Sequence, residues 1–295
     1  MELFPDYSRS RLQKWIKDGH VTVNHQKRRA KDPVFGGETV ELSIVLVEET
    51  QWQAQPLPLH VVYEDDFVIV INKPADLVVH PGAGNMDGTL GNALLHRYPE
   101  LGAVPRAGVI HRLDKDTSGL LVVARNLVAQ KSLVEQLQAR AFERQYQALV
   151  VGVMTAGGTV NAPIARHPTQ RIKMAVVRTG KEAITHYRVM ERFRAHSLVK
   201  LNLETGRTHQ IRVHMAYIRY PLVGDPLYGG RLQIPSGCSA DFAQALREFK
   251  RQALHAARLG FVHPHSGEFM AWDAPVPADM QALIAAARED ADVNR

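Results

Sequence analysis

Val199, Leu201 and Leu203 alternate with Lys200, Asn202 and Glu204, the period-two pattern of a strand with one face in a core. Strands are expected in the same way over 144–151 (RQYQALVV), 185–193 and 197–204. The stretch PLHVVYEDDFVIVINKP (58–74) predicts two strands around the acidic turn Glu64-Asp65-Asp66, and Leu120–Ala124 is a wholly apolar strand candidate. Elsewhere the period becomes helical. Ala129, Leu133, Leu137 and Ala141, with Val134 beside them, form one stripe, and Ile211, Met215 and Ile218 form another within His209–Ile218. A short helix is expected over Asp279–Arg288. Near the N-terminus, Leu12, Trp15 and Ile16 predict a helix over 8–19, capped by Ser8 or Ser10 and ended by Gly19. HVTVN (20–24) and ETVELSIV (38–45) then read as a small hairpin. Helices are few and the strands look antiparallel, so the fold class is α+β with a mainly antiparallel mixed sheet. QWQAQPLP (51–58) reads as a linker, which divides the chain into 1–50, the linker, and 59–295.

Charge changes this picture only where it clusters. The 295 residues carry a net +6. From Ser8 to Lys31, eight basic residues (Arg9, Arg11, Lys14, Lys17, Lys27, Arg28, Arg29 and Lys31) face one acid, Asp18, which leaves the rest of the chain close to neutral. Ile164–Lys181 adds Arg166, Arg171, Lys173, Arg178 and Lys181 with no acid. Each cluster alone could be a solvated face. Two on a neutral background favour a polyanion, because each phosphate contact releases counterions. The single cysteine, Cys238, excludes an intramolecular disulfide and any cysteine-cluster zinc site. No signal-like start and no run near the roughly 18 apolar residues of a membrane span is present, so a cytoplasmic protein is expected.

Several common chemistries are missing. There is no GxxxxGK[ST], HExxH or GxSxG, and GAGNMDG (82–88) misses the dinucleotide-binding spacing by one residue. The histidine pairs His209/His214 and His263/His265 fit no familiar ligand spacing, so no metal is expected. What remains is HRLDKDTSG (111–119), which crowds His111, Arg112, Asp114, Lys115 and Asp116 between two apolar runs. On an extended segment Arg112 and Asp114 point the same way. TGRTHQIRVH (205–214) brings Arg207, His209 and Arg212. A buried carboxylate facing an arginine stays ionised and can act as nucleophile or base at a sugar carbon. It can equally be a salt bridge that fixes a turn, and physical chemistry alone leaves both readings open.

HRLDKDTSGL resembles the signature of the RluA-type pseudouridine synthases. VINKPADLVVHPG (70–82), RQYQALVVG (144–152), LETGRTHQIRVHMAYIRYPLVGDPLYGG (203–230) and LHAARLGFVHP (254–264) follow that family in the same order. The N-terminal segment is similar to an S4 RNA-binding module, and FPDYSRSR (4–11) with HPTQR (167–171) resembles the members acting on large-subunit (23S) ribosomal RNA. The resemblance implies an isomerase that needs no cofactor and no net redox change. It would break the uridine N1–C1′ bond, turn a flipped-out base and rejoin it through C5. By the same resemblance, Asp114 is the catalytic carboxylate, Arg112 holds the flipped nucleotide and Tyr146 lies against the uracil face. Arg212 pairs with Asp114, Ile211 walls the pocket, and His111, Arg207 and His209 join the substrate contacts. Arg9, Arg11, Lys14, Lys27, Arg28, Arg29, Arg166, Arg171 and Lys173 would meet the RNA backbone. The partner implied is 23S rRNA, at the helix 69 stem-loop, or an assembling large subunit, met by a monomer without a membrane or nucleotide cofactor.

An S4 module of this kind begins with a further helix, whereas only ELF precedes the basic segment here, so Leu12, Trp15 and Ile16 are expected to lack part of their packing. Three other readings stand beside the leading one. The same chemistry could act on another rRNA site or a tRNA, or the chain could be a non-catalytic ribosome-assembly protein. A glycoside hydrolase would use Asp114 and Asp116 set roughly 5–9 Å apart, and would leave the basic clusters unexplained.

Overall fold

The computed structural model describes residues 4, 7, 9–43, 52–82 and 84–293. The N-terminal module consists of α1 (Arg9–Asp18), β1 (Val21–Val23), β2 (Gln26–Lys27) and β3 (Val40–Leu42), with strand order β2-β1-β3. The expected hairpin is therefore a three-stranded sheet. Asn24 and His25 both take positive φ and turn β1 into β2, the backbone that a two-residue hairpin loop needs. Ser10 lies inside α1, and the alternative cap Ser8, like residues 44–45 of the expected second strand, falls outside the described residues.

The expected packing shortfall is not there. Leu12, Trp15 and Val21 are buried, with Phe4, Tyr7, Ile16, Val40 and Leu42 packed around them. Tyr7 meets Trp15 edge-on at 5.0 Å. Phe4 and Tyr7, just ahead of α1, supply part of that packing.

The rest of the chain forms β4 (Val61–Glu64), β5 (Val68–Lys73), α2 (Leu90–Arg97), β6 (Ser118–Ala124), α3 (Leu127–Gln138), β7 (Glu143–Val151), β8 (Gly158–Asn161), β9 (Ile164–Arg166) and β10 (Met174–Val176). It continues with β11 (Ile184–Arg192), β12 (His196–Leu203), α4 (Gln210–Tyr217), α5 (Ala240–Glu248), β13 (Leu254–Val262), β14 (Phe269–Asp273) and α6 (Ala278–Val293). One sheet has nine strands in the order β4-β5-β6-β13-β7-β12-β11-β8, with β14 paired to β13. All its pairings among the described residues are antiparallel except β6 with β13. β9 and β10 form a separate hairpin that carries the second basic cluster.

The apolar run of β6 is buried on both faces. Leu121 and Val123 join Ile69, Ile71, Leu94 and Tyr146 in one core. Leu120, Val122 and Ala124 join Val68, Val70, Ala129 and Leu133 of α3 in another. Alternation across the pleat sends successive residues to opposite faces, which is why this strand shows no polar alternation.

Residues 52–58 are laid along the body. Trp52 stacks near His80, with ring centroids 6.1 Å apart, and covers α2 at Gly91, where an added Cβ would come within 2.6 Å of the indole. Asn92 Nδ2 donates to Gln53 O, and Gln55 N–H donates to Asn92 O. Among the described residues, no helix is long and apolar enough to cross a membrane.

Candidate active site

The loop 111–117 leads into β6, and three features hold it. Thr117 N–H donates to Asp114 O, closing a turn over Lys115-Asp116. Gly119, at φ +114, lets β6 lie close to β13: an added Cβ would stand 2.2 Å from Ala256 O. Lys73, fully buried at the end of β5, donates to Pro74 O (2.7 Å), Leu77 O (2.9 Å) and Lys115 O (2.8 Å). Burial pushes the Lys73 ammonium down to about 7, against the pull of Asp116 and Asp114. The lysine thus ties the loop following Asp114 to the loop following β5.

A second loop, Thr205–His209, enters α4. Gln210 knots it. Its Oε1 accepts from Thr205 Oγ1 (2.8 Å) and Arg207 N–H (2.9 Å), while its Nε2 donates to Ile184 O and Thr185 Oγ1, both at 3.0 Å. His209 takes a left-handed backbone, φ +56, immediately before the helix. These restraints aim Arg212 inward from the first turn of α4, where it is 4% exposed.

The two loops meet at Asp114. Arg212 Nη1 donates to Asp114 Oδ2 at 2.9 Å. Its remaining edge is clamped by Asp225, with Nε to Oδ2 at 2.7 Å and Nη2 to Oδ1 at 2.9 Å. Asp225 is itself fixed by the backbone N–H groups of Leu227 and Tyr228. Burial pulls the Arg212 guanidinium down, but Asp225 and then Asp114 more than offset it, so its pKa rises. Arg212 is therefore a permanent cation held against the Asp114 carboxylate.

His209 Nε2 lies 3.9 Å from Asp114 Oδ1, and its Nδ1 is 2.8 Å from the Tyr228 hydroxyl. Burial raises the pKa of Tyr228 and lowers that of His209, so the two meet as neutral groups whose hydrogen-bond direction follows the imidazole tautomer. Tyr228 Oη also accepts Met174 N–H at 2.9 Å, linking the β9–β10 hairpin to the site.

His111, Arg112, Asp114, Tyr146, Arg207, His209, Ile211 and Arg212 all line one cavity of about 490 Å³. Arg112 and Asp114 both face it, as extended spacing implies, with Arg112 exposed at the mouth. Tyr146 is 6% exposed, and burial raises its hydroxyl to about 12. His111 has a further duty: its Nε2 accepts Val122 N–H at 3.2 Å, and burial holds the ring neutral with a pKa of about 3. It therefore anchors the loop to β6.

The basic residues lie elsewhere. Arg9, Arg11, Lys14, Lys27, Arg28 and Arg29 sit on the N-terminal module, Arg166 ends β9, and Arg171 and Lys173 lie in the loop to β10. Arg29 is paired with Asp32 at 3.0 Å, and Arg11 stands 5.7 Å over the Trp15 ring. Asp116 does not line the cavity. It borders a separate groove with Asp76, Arg251 and Asp279, which removes the two-carboxylate hydrolase reading. Sequence reasoning missed Lys73, Gln210, Asp225 and Tyr228, although all but Lys73 lie in one quoted segment and Lys73 lies in another. Among the described residues no group of three or more histidine, cysteine or acidic side chains could hold a metal ion.

With this geometry in view, the comparisons with known proteins are specific. The family profile described as RNA pseudouridylate synthase matches residues 67–217, and that of the S4 domain matches residues 2–40. The chain is 60% identical over 289 residues to the ribosomal large subunit pseudouridine synthase D of Xanthomonas campestris pv. campestris, covering 98% of this chain and 87% of that one. The proteins of the same name from Salmonella typhimurium and Escherichia coli (strain K12) are 59% and 58% identical, each over 98% of this chain and 89% of theirs. Among solved structures, human RNA pseudouridylate synthase domain containing 4 superposes with a TM-score of 0.61 at 25% identity, covering 78% of this chain and 93% of its own. Its human counterpart, domain containing 1, gives 0.59 at 28% identity, over 78% and 87%.

Proposed function

The chain belongs to the RNA pseudouridylate synthase family, and from that premise we propose that it isomerises uridine to pseudouridine in large-subunit ribosomal RNA, with Asp114 as the reacting carboxylate. The observation that carries this reading is the Asp114–Arg212–Asp225 array at the floor of a cavity that Tyr146 also lines. Asp114 is held against the Arg212 guanidinium at 2.9 Å, placed to attack C1′ or to remove the C2′ proton; both routes need the carboxylate at the same place. Tyr146 offers a flat apolar face for the uracil. Arg112, at the cavity mouth, takes the position the base leaves in the RNA stack. Ile211 excludes water beside the carboxylate, and His209 adds a polar contact 3.9 Å from it.

The basic residues of 1–50 and of the β9–β10 hairpin grip phosphates on either side, and the stem-loop called helix 69 is the site we assign. Residues 51–58 join that grip to the catalytic unit 59–295. We read the working unit as a monomer, acting in the cytoplasm where ribosomes are built.

The test is pseudouridine mapping of total RNA from cells with and without the gene, by chemical adducts read through sequencing. The expected outcome is loss of modification in the large-subunit stem-loop, restored by wild type and not by Asp114→Asn. Restoration by the asparagine variant would remove Asp114 from the mechanism, and unchanged RNA would remove the substrate.

A further inference from the structure

Arg144 opens the RQYQALVVG segment, yet neither the family resemblance nor the array around Asp114 gives it a role; among the described residues it and Arg212 are the buried arginines. It lies on β7 two residues before Tyr146, hence on the same face of the strand. Its side chain lines the cavity, and the residue is 6% exposed. Nη2 donates to the backbone carbonyls of Leu203 (3.3 Å) and Glu204 (2.9 Å), while Nε is buried with no partner. Among the described residues no carboxylate comes within ion-pair range of it, whereas Arg212 has two. Gly206 faces Nη1 so closely that an added Cβ would stand 2.8 Å away; the missing side chain keeps that edge of the guanidinium open. A buried guanidinium with an orphan N–H and no counterion is costly, and it sits where the cavity's occupant arrives.

On the isomerase reading, that occupant is uracil against Tyr146, and we propose that Arg144 donates to a uracil carbonyl oxygen and stabilises the anion formed as the base leaves. When the C1′–N1 bond breaks, its electron pair stays with the base and spreads over N1, O2 and O4. C1′ is taken by the Asp114 carboxylate, or the C2′ proton is lost to it. After the base turns, C5 supplies the pair for the new bond to C1′, while the Asp114–C1′ ester bond breaks and returns its pair to the carboxylate, or, on the other route, Asp114 gives its proton back to C2′. C5 then gives up its proton and N1 takes one up, so no other reactant is consumed. The negative charge exists only between these two bonds. Arg212 is neutralised by two carboxylates, which leaves Arg144, among the described residues lining the cavity, as the buried cation able to meet that charge. A donor fixed before charge develops, away from water, favours the transition state over the bound substrate.

The experiment measures single-turnover rates on a stem-loop RNA of the large-subunit sequence, carrying either uridine or 5-fluorouridine at the target position. Consumption of the nucleoside is read after nuclease digestion. Fluorine makes the base anion intrinsically more stable, so it lessens the demand on Arg144. Arg144→Gln is expected to slow the uridine reaction about 10²-fold, as loss of one such donor does, while the RNA dissociation constant stays within about threefold. The deficit with 5-fluorouridine should shrink at least about fivefold by the same argument. Arg144→Lys, which retains the charge, should lie between and show the same sensitivity, and it carries the comparison if the glutamine variant does not fold. Equal deficits with both bases, a loss confined to RNA binding, or wild-type rates would overturn the proposal. No pseudouridine formation by the wild-type protein would instead overturn the isomerase reading on which it rests, and the proposal with it.

Discussion

The N-terminal module and the cavity around Asp114 use the same kinds of side chain to opposite ends. On the module, Lys14, Lys27 and Arg28 stand largely in water around a core of three buried residues. In the cavity, Arg212 is 4% exposed and locked by three carboxylate oxygens, one from Asp114 and two from Asp225. A charge in water is screened within about 10 Å at moderate salt, so the module can add affinity for a polyanion without fixing any atom. A buried charge is screened far less, and its geometry decides which protonation state its neighbour keeps. Affinity and chemistry are thus separated by burial rather than by residue type.

The sharpest break of that contrast is to loosen Arg212 without touching Asp114. Asp225→Asn should lower kcat by about 10²-fold, since misplacing a catalytic group by about 1 Å costs that much, with RNA affinity almost unchanged. A rate near wild type would show that the clamp is dispensable. Tyr146→Ala comes next. It should cost roughly tenfold or more through a lost stacking contact of about 1–3 kcal/mol per base, and Tyr146→Phe much less; equal losses would shift the role to the hydroxyl.

Acid distinguishes the two regions through stability. Burial pushes His111 down to about 3 and His196 to about 4. Below pH about 6.5 the unfolded chain therefore binds protons that the folded body does not. Stability present at neutral pH is then lost as pH falls from about 6.5 towards 4. Urea midpoints should follow that slope, and His196→Gln should flatten it; parallel curves for the two proteins would place the acid sensitivity elsewhere. The smallest effect on chemistry belongs to deletion of residues 1–50, which should weaken RNA binding and flatten its salt dependence while the single-turnover rate at saturation changes little. An unchanged salt slope would mean that the module's charge does not meet the RNA.

Much of this site was legible because its chemistry sits in short segments. Asp114 and Arg112 share one loop, and the pairing of Arg212 with Asp114 came from the family resemblance of TGRTHQIRVH, with the 2.9 Å contact in agreement. Asp225 and Tyr228 were not legible, because their work depends on a chain reversal between α4 and residue 225 that no local pattern encodes. Lys73 was hidden by type: a lysine at a strand end reads as a solvent-facing residue, and only the three carbonyls converging on it give it another meaning. In the fold, β6 and β7 were readable from apolar runs. The helix α2 was missed because six of its residues in succession are buried, which erases the periodicity. The helix α5, with Phe242 and Leu246 one turn apart behind a Ser239 cap, was there to be found.

The place of β13 sets when the enzyme comes into being. It lies between β6 and β7 in the sheet yet follows them in sequence by more than a hundred residues. A ribosome synthesising this chain delivers Asp114, Tyr146 and Arg212 while the strand that must join their platforms is still unmade. Until Leu254–Val262 emerges, β6 and β7 each present an open edge, the state most exposed to wrong pairing. The three proposed catalytic groups are therefore complete in number before the strand that joins their platforms has been made.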